Sequence, residues 1–120
     1  MIANYRELIV WQKSMELVKV VYKLSALFSK EEVYGLVSQI RRAAVSVPSN
    51  IAEGQARRTT GEFLVFLSYA EGSLAEIDTQ LLLAIALGFV AVEQTTEAAE
   101  LLGECQRMLR SLRAKLSPRH

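Results

Sequence analysis

Residues 63–88 read FLVFLSYAEGSLAEIDTQLLLAIALG, and their spacing decides the fold. Phe63, Leu67, Ala70, Leu74, Ile77, Leu81, Ala84 and Gly88 follow one another in alternating steps of four and three. That is the seam of a long helix packed against other helices, and the period-two alternation of a strand is absent. Thr59 or Thr60 can cap its start, Glu62 and Glu71 fall on its outer side, and Gly88 suits the C-terminal cap. A second apolar set, Leu64, Val65, Tyr69, Leu82, Leu83 and Leu87, lies off the seam.

Upstream, the same period predicts a helix from about Asn4 to Ser29. Leu8, Trp11, Met15, Val18, Tyr22 and Ser25 share a face that Val10, Leu17, Val21 and Leu24 widen. Another helix should start near Lys30, with Glu31 and Glu32 at its positive end and Val33, Leu36, Val37, Ile40, Ala44 and Val47 inside. Pro48 removes a backbone donor and predicts a kink, and Ile51 keeps the stripe in phase beyond it. Gly54 and the polar run Gln55 to Thr60 mark the exit.

A fourth helix spans about Glu93 to Leu116, with Ala98, Leu101, Leu102, Cys105, Met108, Leu109, Leu112 and Leu116 on one narrow face. Its acids come first and its bases last, which matches the helix dipole. Four helices joined by short loops predict an all-α, antiparallel up-down-up-down four-helix bundle over residues 1–120, its second helix kinked at Pro48. The surplus apolar faces on the first and third helices predict a homo-oligomer.

The chain has 120 residues, 51% of them hydrophobic and 22% charged, with a net charge of +1. This size and balance predict one domain and exclude disorder. The longest uncharged stretch, Thr79 to Val92, is 14 residues, too short to cross a bilayer. With no secretion-signal pattern and one cysteine, a cytoplasmic location with no membrane partner is expected. Charge is segregated: residues 1–58 carry +4, residues 59–104 carry −8 with no base, and residues 105–120 carry +5. These blocks either pair across neighbouring helices or form solvated faces.

Catalytic chemistry has little to stand on. The one histidine, His120, is the last residue, where nothing holds an imidazole against a substrate. Glu71, Glu76 and Asp78 lack the histidines of a carboxylate-bridged di-metal site. There is no phosphate-binding glycine loop and no zinc-ligand set, and Cys105 falls mid-stripe as a buried thiol. The expectation is a protein that is not an enzyme and holds no metal or cofactor.

Arginines remain. Arg42, Arg57, Arg58, Arg107, Arg110 and Arg113 are the candidates for a phosphate-binding surface. Arg41, about 100° round the helix from Arg42, is read as a structural ion-pair or subunit-contact residue with Glu71 or Glu76. Ser46, Ser49, Asn50 and Glu53 cluster around Pro48, where they can satisfy backbone groups that the proline leaves open. Trp11 and Tyr34 are read as packing anchors in preference to stacking platforms for bases, although single-strand binders do use aromatics beside basic grooves.

Leu8-Ile9-Val10-Trp11-Gln12-Lys13, Glu32-Val33-Tyr34-Gly35-Leu36, the whole Gln39 to Gly54 segment and Gly72-Ser73-Leu74-Ala75-Glu76 together resemble one family. It comprises the small four-helix-bundle proteins encoded by intervening sequences in bacterial 23S ribosomal RNA genes. The resemblance covers about residues 5–90, and the run from Arg41 to Gly54 is its most specific part. Ser29 departs from it, since members commonly carry proline there. The resemblance implies a homopentameric ring. It also implies kinship with the accessory variability determinant of diversity-generating retroelements, a basic pentamer that binds nucleic acid and partners a reverse transcriptase. Two readings follow: a non-enzymatic oligomer that binds RNA or DNA weakly through arginines, or an oligomeric scaffold for another protein whose arginines hold subunits together.

Overall fold

A computed structural model describes residues 4–117 and contains four α-helices: α1 (Ile9–Ser25), α2 (Leu36–Gln55), α3 (Thr60–Ala86) and α4 (Thr96–Leu116). No strand occurs among the described residues, and none of their helices is long and apolar enough to cross a membrane. Pro118 and His120 lie outside the described residues.

The helices form a bundle about 45 Å long and 23 Å across. Partner residues run in opposite directions along neighbouring helices. On α2 and α3, Ser46 meets Ser73 and Gly54 meets Phe66. On α1 and α2, Ser25 meets Arg41, while Trp11 and Ala52 line one groove further along. Lys13 of α1 pairs with Glu104 of α4 at 3.3 Å, and Leu8 and Lys115 line the same cleft. Glu71 of α3 pairs with Arg113 of α4, and Phe63 and Leu116 share a cleft beyond them. The exit of α2 and the end of α4 therefore lie at one end of the bundle, with the start of α3.

The α3 seam packs as its spacing requires: Leu67, Ala70, Leu74, Ile77, Leu81 and Ala84 are all buried. Thr59 Oγ1 accepts from the Glu62 N–H at 3.1 Å and caps the start, while the Thr59 hydroxyl donates to Glu62 Oε1 at 3.0 Å. At the other end Gly88 takes φ +78°, a left-handed backbone that glycine adopts without a Cβ penalty. Its N–H bonds Ile85 O at 3.0 Å and the Phe89 N–H bonds Ala84 O at 2.9 Å, which closes off the last carbonyls.

Three expected boundaries move. Asn4 caps only a short 3-10 turn, Tyr5–Glu7, because Leu8 is extended and drops its side chain into the core; α1 starts after it. Its buried line is Val10, Ser14, Leu17, Val21 and Leu24, whereas Met15 and Tyr22 of the expected face are exposed. The α1 helix stops at Ser25, where Arg41 of α2 donates to Ser25 Oγ at 2.8 Å and to Tyr22 O at 3.1 Å. Residues Lys30–Glu32 make a separate 3-10 turn, and α2 begins only at Leu36, whose N–H is taken by Glu32 Oε1 at 3.2 Å. Val33, expected inside, is exposed.

The α2 helix runs through buried Pro48 without a break. Ser46 donates to Ala43 O at 2.7 Å, Ser49 to Val45 O at 2.8 Å, and Asn50 Nδ2 to Ser46 O at 2.8 Å. These three side chains serve the local backbone around the proline, but none of the bonds reaches Ala44 O, the carbonyl that Pro48 leaves open, and Glu53 pairs with Arg57 instead. Gly54 lies in the last turn of α2, which ends at Gln55 as expected, and it is buried there: a Cβ would sit 2.6 Å from Phe66 Cβ and 3.3 Å from Phe63 O. Gly72, in the middle of α3, would place a Cβ in open space.

Gly54→Ala should therefore destabilise the protein, because the overpacking cost of about 1–3 kcal/mol exceeds the gain of up to about 1 kcal/mol in helix propensity. Gly72→Ala should stabilise an isolated bundle by about 0.5–1 kcal/mol. Thermal unfolding of the pair checks the opposite signs. The Cys105 thiol is fully buried, and burial chiefly, with the Glu104 carboxylate beside it, pushes its pKa up to about 11. Native protein at pH 8 should resist thiol reagents until it unfolds. The unfolded thiol ionises near 9.0 and the folded one near 11, so this contribution to stability is complete below the first value and lost as pH rises between them. Denaturant midpoints across that window, compared with Cys105→Ala, test it.

Candidate nucleic-acid interface

The six candidate arginines divide between those held by the protein and those left free. Arg113 of α4 bonds Glu71 of α3, with side-chain exposures of 41% and 25%. Its position in the last turn of α4 brings it level with Glu71, so Glu71 is half-buried in an interhelical ion pair and not on the outer side. Arg57 bonds Glu53 at 2.7 Å, one turn back on α2, and its guanidinium lies 4.7 Å from the Phe66 ring centroid. Arg42, Arg58, Arg107 and Arg110 are exposed and have no hydrogen-bond or ion-pair partner among the described residues.

Topology gathers part of this set. Arg57 and Arg58 follow α2 into the turn that Thr59 caps, and they line a cleft with Leu116 from the end of α4. Arg110 and Lys115 are exposed on the last turns of α4, so the free cations Arg58 and Arg110 lie toward the same end. Arg107 is one turn further up α4, and Arg42 stands apart on the first half of α2.

Arg41 has a structural place, but not with an acid. Its guanidinium covers the end of α1 through Ser25 Oγ and Tyr22 O and stacks 4.6 Å from the Tyr22 ring centroid. No ion pair joins it to Glu71 or Glu76 among the described residues: α1 lies nearer, and Glu71 is taken by Arg113. Glu76 is exposed in a cleft between α2 and α3 with Arg42, Gln39, Ser46, Ser73 and Gln80. There the Ser46 hydroxyl spends its proton on Ala43 O, so Ser73 donates to Ser46. Gln80 is only 8% exposed, and its Oε1 has no partner among the described residues.

Of the two aromatic residues read as packing anchors, one changes the picture drawn from sequence. Trp11 packs as expected, its ring 5.4 Å from that of Tyr5. Tyr34 does not: it is 97% exposed, on the connection just before α2. Tyr34, Tyr22, Lys30, Arg41 and Arg42 line a groove of about 620 Å³ between the end of α1 and the first half of α2. No acid lines it, because Glu32 is turned to the first N–H of α2. Sequence periodicity missed this groove, since Tyr34 had been given a place in a helix that starts two residues after it. Gly35, whose backbone leaves the helical region, was the available signal.

The comparisons with known proteins support the fold, and one of them shows a family. Residues 6–111 match the family model of the 23S rRNA-intervening sequence protein. A crystal structure from Bacteroides thetaiotaomicron VPI-5482, described as a protein with unknown function from the S23 ribosomal protein family, superposes with a TM-score of 0.79 at 23% identity. The match covers 86% of this chain and 96% of that one. No curated protein matches. An all-helical bundle matched over nearly its whole length places the chain in the 23S rRNA-intervening sequence protein family.

Proposed function

We propose that this protein is a non-enzymatic homo-oligomer that binds RNA or DNA weakly through the free arginines of α2 and α4. The observation that carries the reading is that Arg42, Arg58, Arg107 and Arg110 reach solvent without an ion pair among the described residues, although the chain holds 13 acids. Unpaired guanidinium groups on rigid helices suit phosphate oxygens, which they can grip in pairs of hydrogen bonds. Assembly is supported by the solvent-facing side of α3, where Val65, Leu82, Leu83 and Leu87 stay exposed around open Gly72. The family resemblance suggests a pentamer, and a reverse transcriptase or another protein as a further partner.

A second reading has one specific observation behind it. Arg113, counted among the phosphate-binding candidates, is spent on Glu71 within the chain. If the other arginines do the same between copies, the protein is an oligomeric scaffold with no nucleic-acid site.

Binding of RNA and DNA measured against salt separates the two. Under the first reading log K falls linearly with log salt, by about 0.7–0.9 per phosphate contacted. Arg58→Glu with Arg110→Glu should then lower that slope by about two such steps and leave the sedimentation coefficient unchanged. Loss of the oligomer in that variant, or flat binding near zero at low salt, would favour the scaffold. Arg113→Glu should lower the unfolding midpoint, and adding Glu71→Arg should restore most of it, with little change in binding.

A further inference from the structure

We infer that the groove between the end of α1 and the first half of α2 takes single-stranded nucleic acid, with a base stacked on Tyr34 and the backbone phosphates on Arg41, Arg42 and Lys30. This rests on the nucleic-acid reading above and names the form of nucleic acid and the site.

A phenol ring standing 97% in solvent contributes almost nothing to the folded core. Tyr34 is placed beside three cations in a groove with no acid in its lining. Stacking surfaces interleaved with positive charge are what an unpaired strand needs, because its bases expose their faces and its phosphates need neutralising. A duplex hides those faces, so it could use the charges alone.

The second aromatic, Tyr22, strengthens the site. Arg41 lies over its ring at 4.6 Å, so ring and guanidinium already form a stacked pair. Arg41 commits one N–H to Ser25 Oγ and one to Tyr22 O, which leaves three of its five donors uncommitted. Its position is thus fixed by the end of α1 while most of its hydrogen-bonding capacity is unused. Arg42 has no hydrogen-bond or ion-pair partner among the described residues, and Ser38 adds a hydroxyl to the groove wall. The volume of about 620 Å³ is enough for a nucleotide or two.

The test uses the full chain and a fluorescein-labelled, unstructured RNA of about 12 nucleotides, within the usual site size of such binders. Fluorescence anisotropy at low salt compares it with the duplex of the same sequence. The single strand should bind more tightly. Tyr34→Ala should weaken it roughly 5–150-fold, the range for losing one base stack, and Tyr34→Trp should retain or improve it. Arg42→Ala should lower the salt slope by about 0.7. An unchanged unfolding midpoint is expected for Tyr34→Ala, given its exposure.

Equal binding of duplex and single strand, or Tyr34→Ala binding like the parent protein, would overturn the inference and leave the arginine surface standing. So would inorganic polyphosphate that competes as well as the RNA at equal charge, since that shows charge without stacking. A Tyr34→Ala variant that falls apart into smaller species would make Tyr34 a subunit contact and end the inference as well. Absence of any binding by the parent protein would instead remove the nucleic-acid reading itself.

Discussion

The approach of α2 to α3 at Gly54 is the constraint on which the remaining arrangement depends. With only a hydrogen for a side chain, Gly54 lets the Phe63 and Phe66 turn of α3 sit against the α2 backbone. From there the small inner residues Ala43, Ala44, Ala70 and Ser73 keep the two helices close along their shared length. This tight hairpin makes a flat wall for α1 and α4, whose larger residues Leu17, Val21, Leu102 and Leu109 complete the core. Two cross-helix hydrogen bonds, Ser46 with Ser73 and Arg41 with Ser25, fix the register of α3 and α1 against α2.

Charge follows from the same topology. Since α2 and α4 both end where α3 begins, helix-dipole preference alone collects bases there, and acids at the start of α4 collect at the opposite end. The blocks seen in sequence resolve both ways: Lys13–Glu104 and Glu71–Arg113 join neighbouring helices, while other charges face solvent. The ion pairs are half-exposed, so solvent weakens them and they orient the helices more than they hold them. The groove beside Tyr34 is a different kind of site, built at a helix boundary and not by the sorting of charge to an end.

The existence of four helices, the α3 seam and the inner face of α2 were legible from period alone, because each long stripe admits one way of being buried. The phase of α1 was not: its apolar arc is so wide that two adjacent lines fit it, and only packing against α2 selects Val10, Leu17 and Val21 over Met15 and Tyr22. Gly54 marked the exit of α2 correctly, but its second role, the close approach of Phe63 and Phe66, shows only once the neighbouring helix is in place. At the site, the number and type of arginines could be read, but not which were spent. Pairing of Arg113 with Glu71 spans 42 positions, and the turn of Arg41 toward α1 depends on where α1 ends.

Hydroxyl groups in this bundle are mostly turned back on their own helix. Ser14, wholly buried, gives its proton to Trp11 O at 2.7 Å, and Ser68, Thr79 and Thr95 do likewise to carbonyls three or four residues behind. A polar side chain satisfied in this way asks nothing of the helix packed against it. Such positions can accept alanine or another small residue without a matching change elsewhere, so they are free to drift independently over evolutionary time. Ser25, Ser46 and Ser73 are bound by a stricter rule: each answers to a partner on another helix, and a lineage that changes one must change its counterpart too.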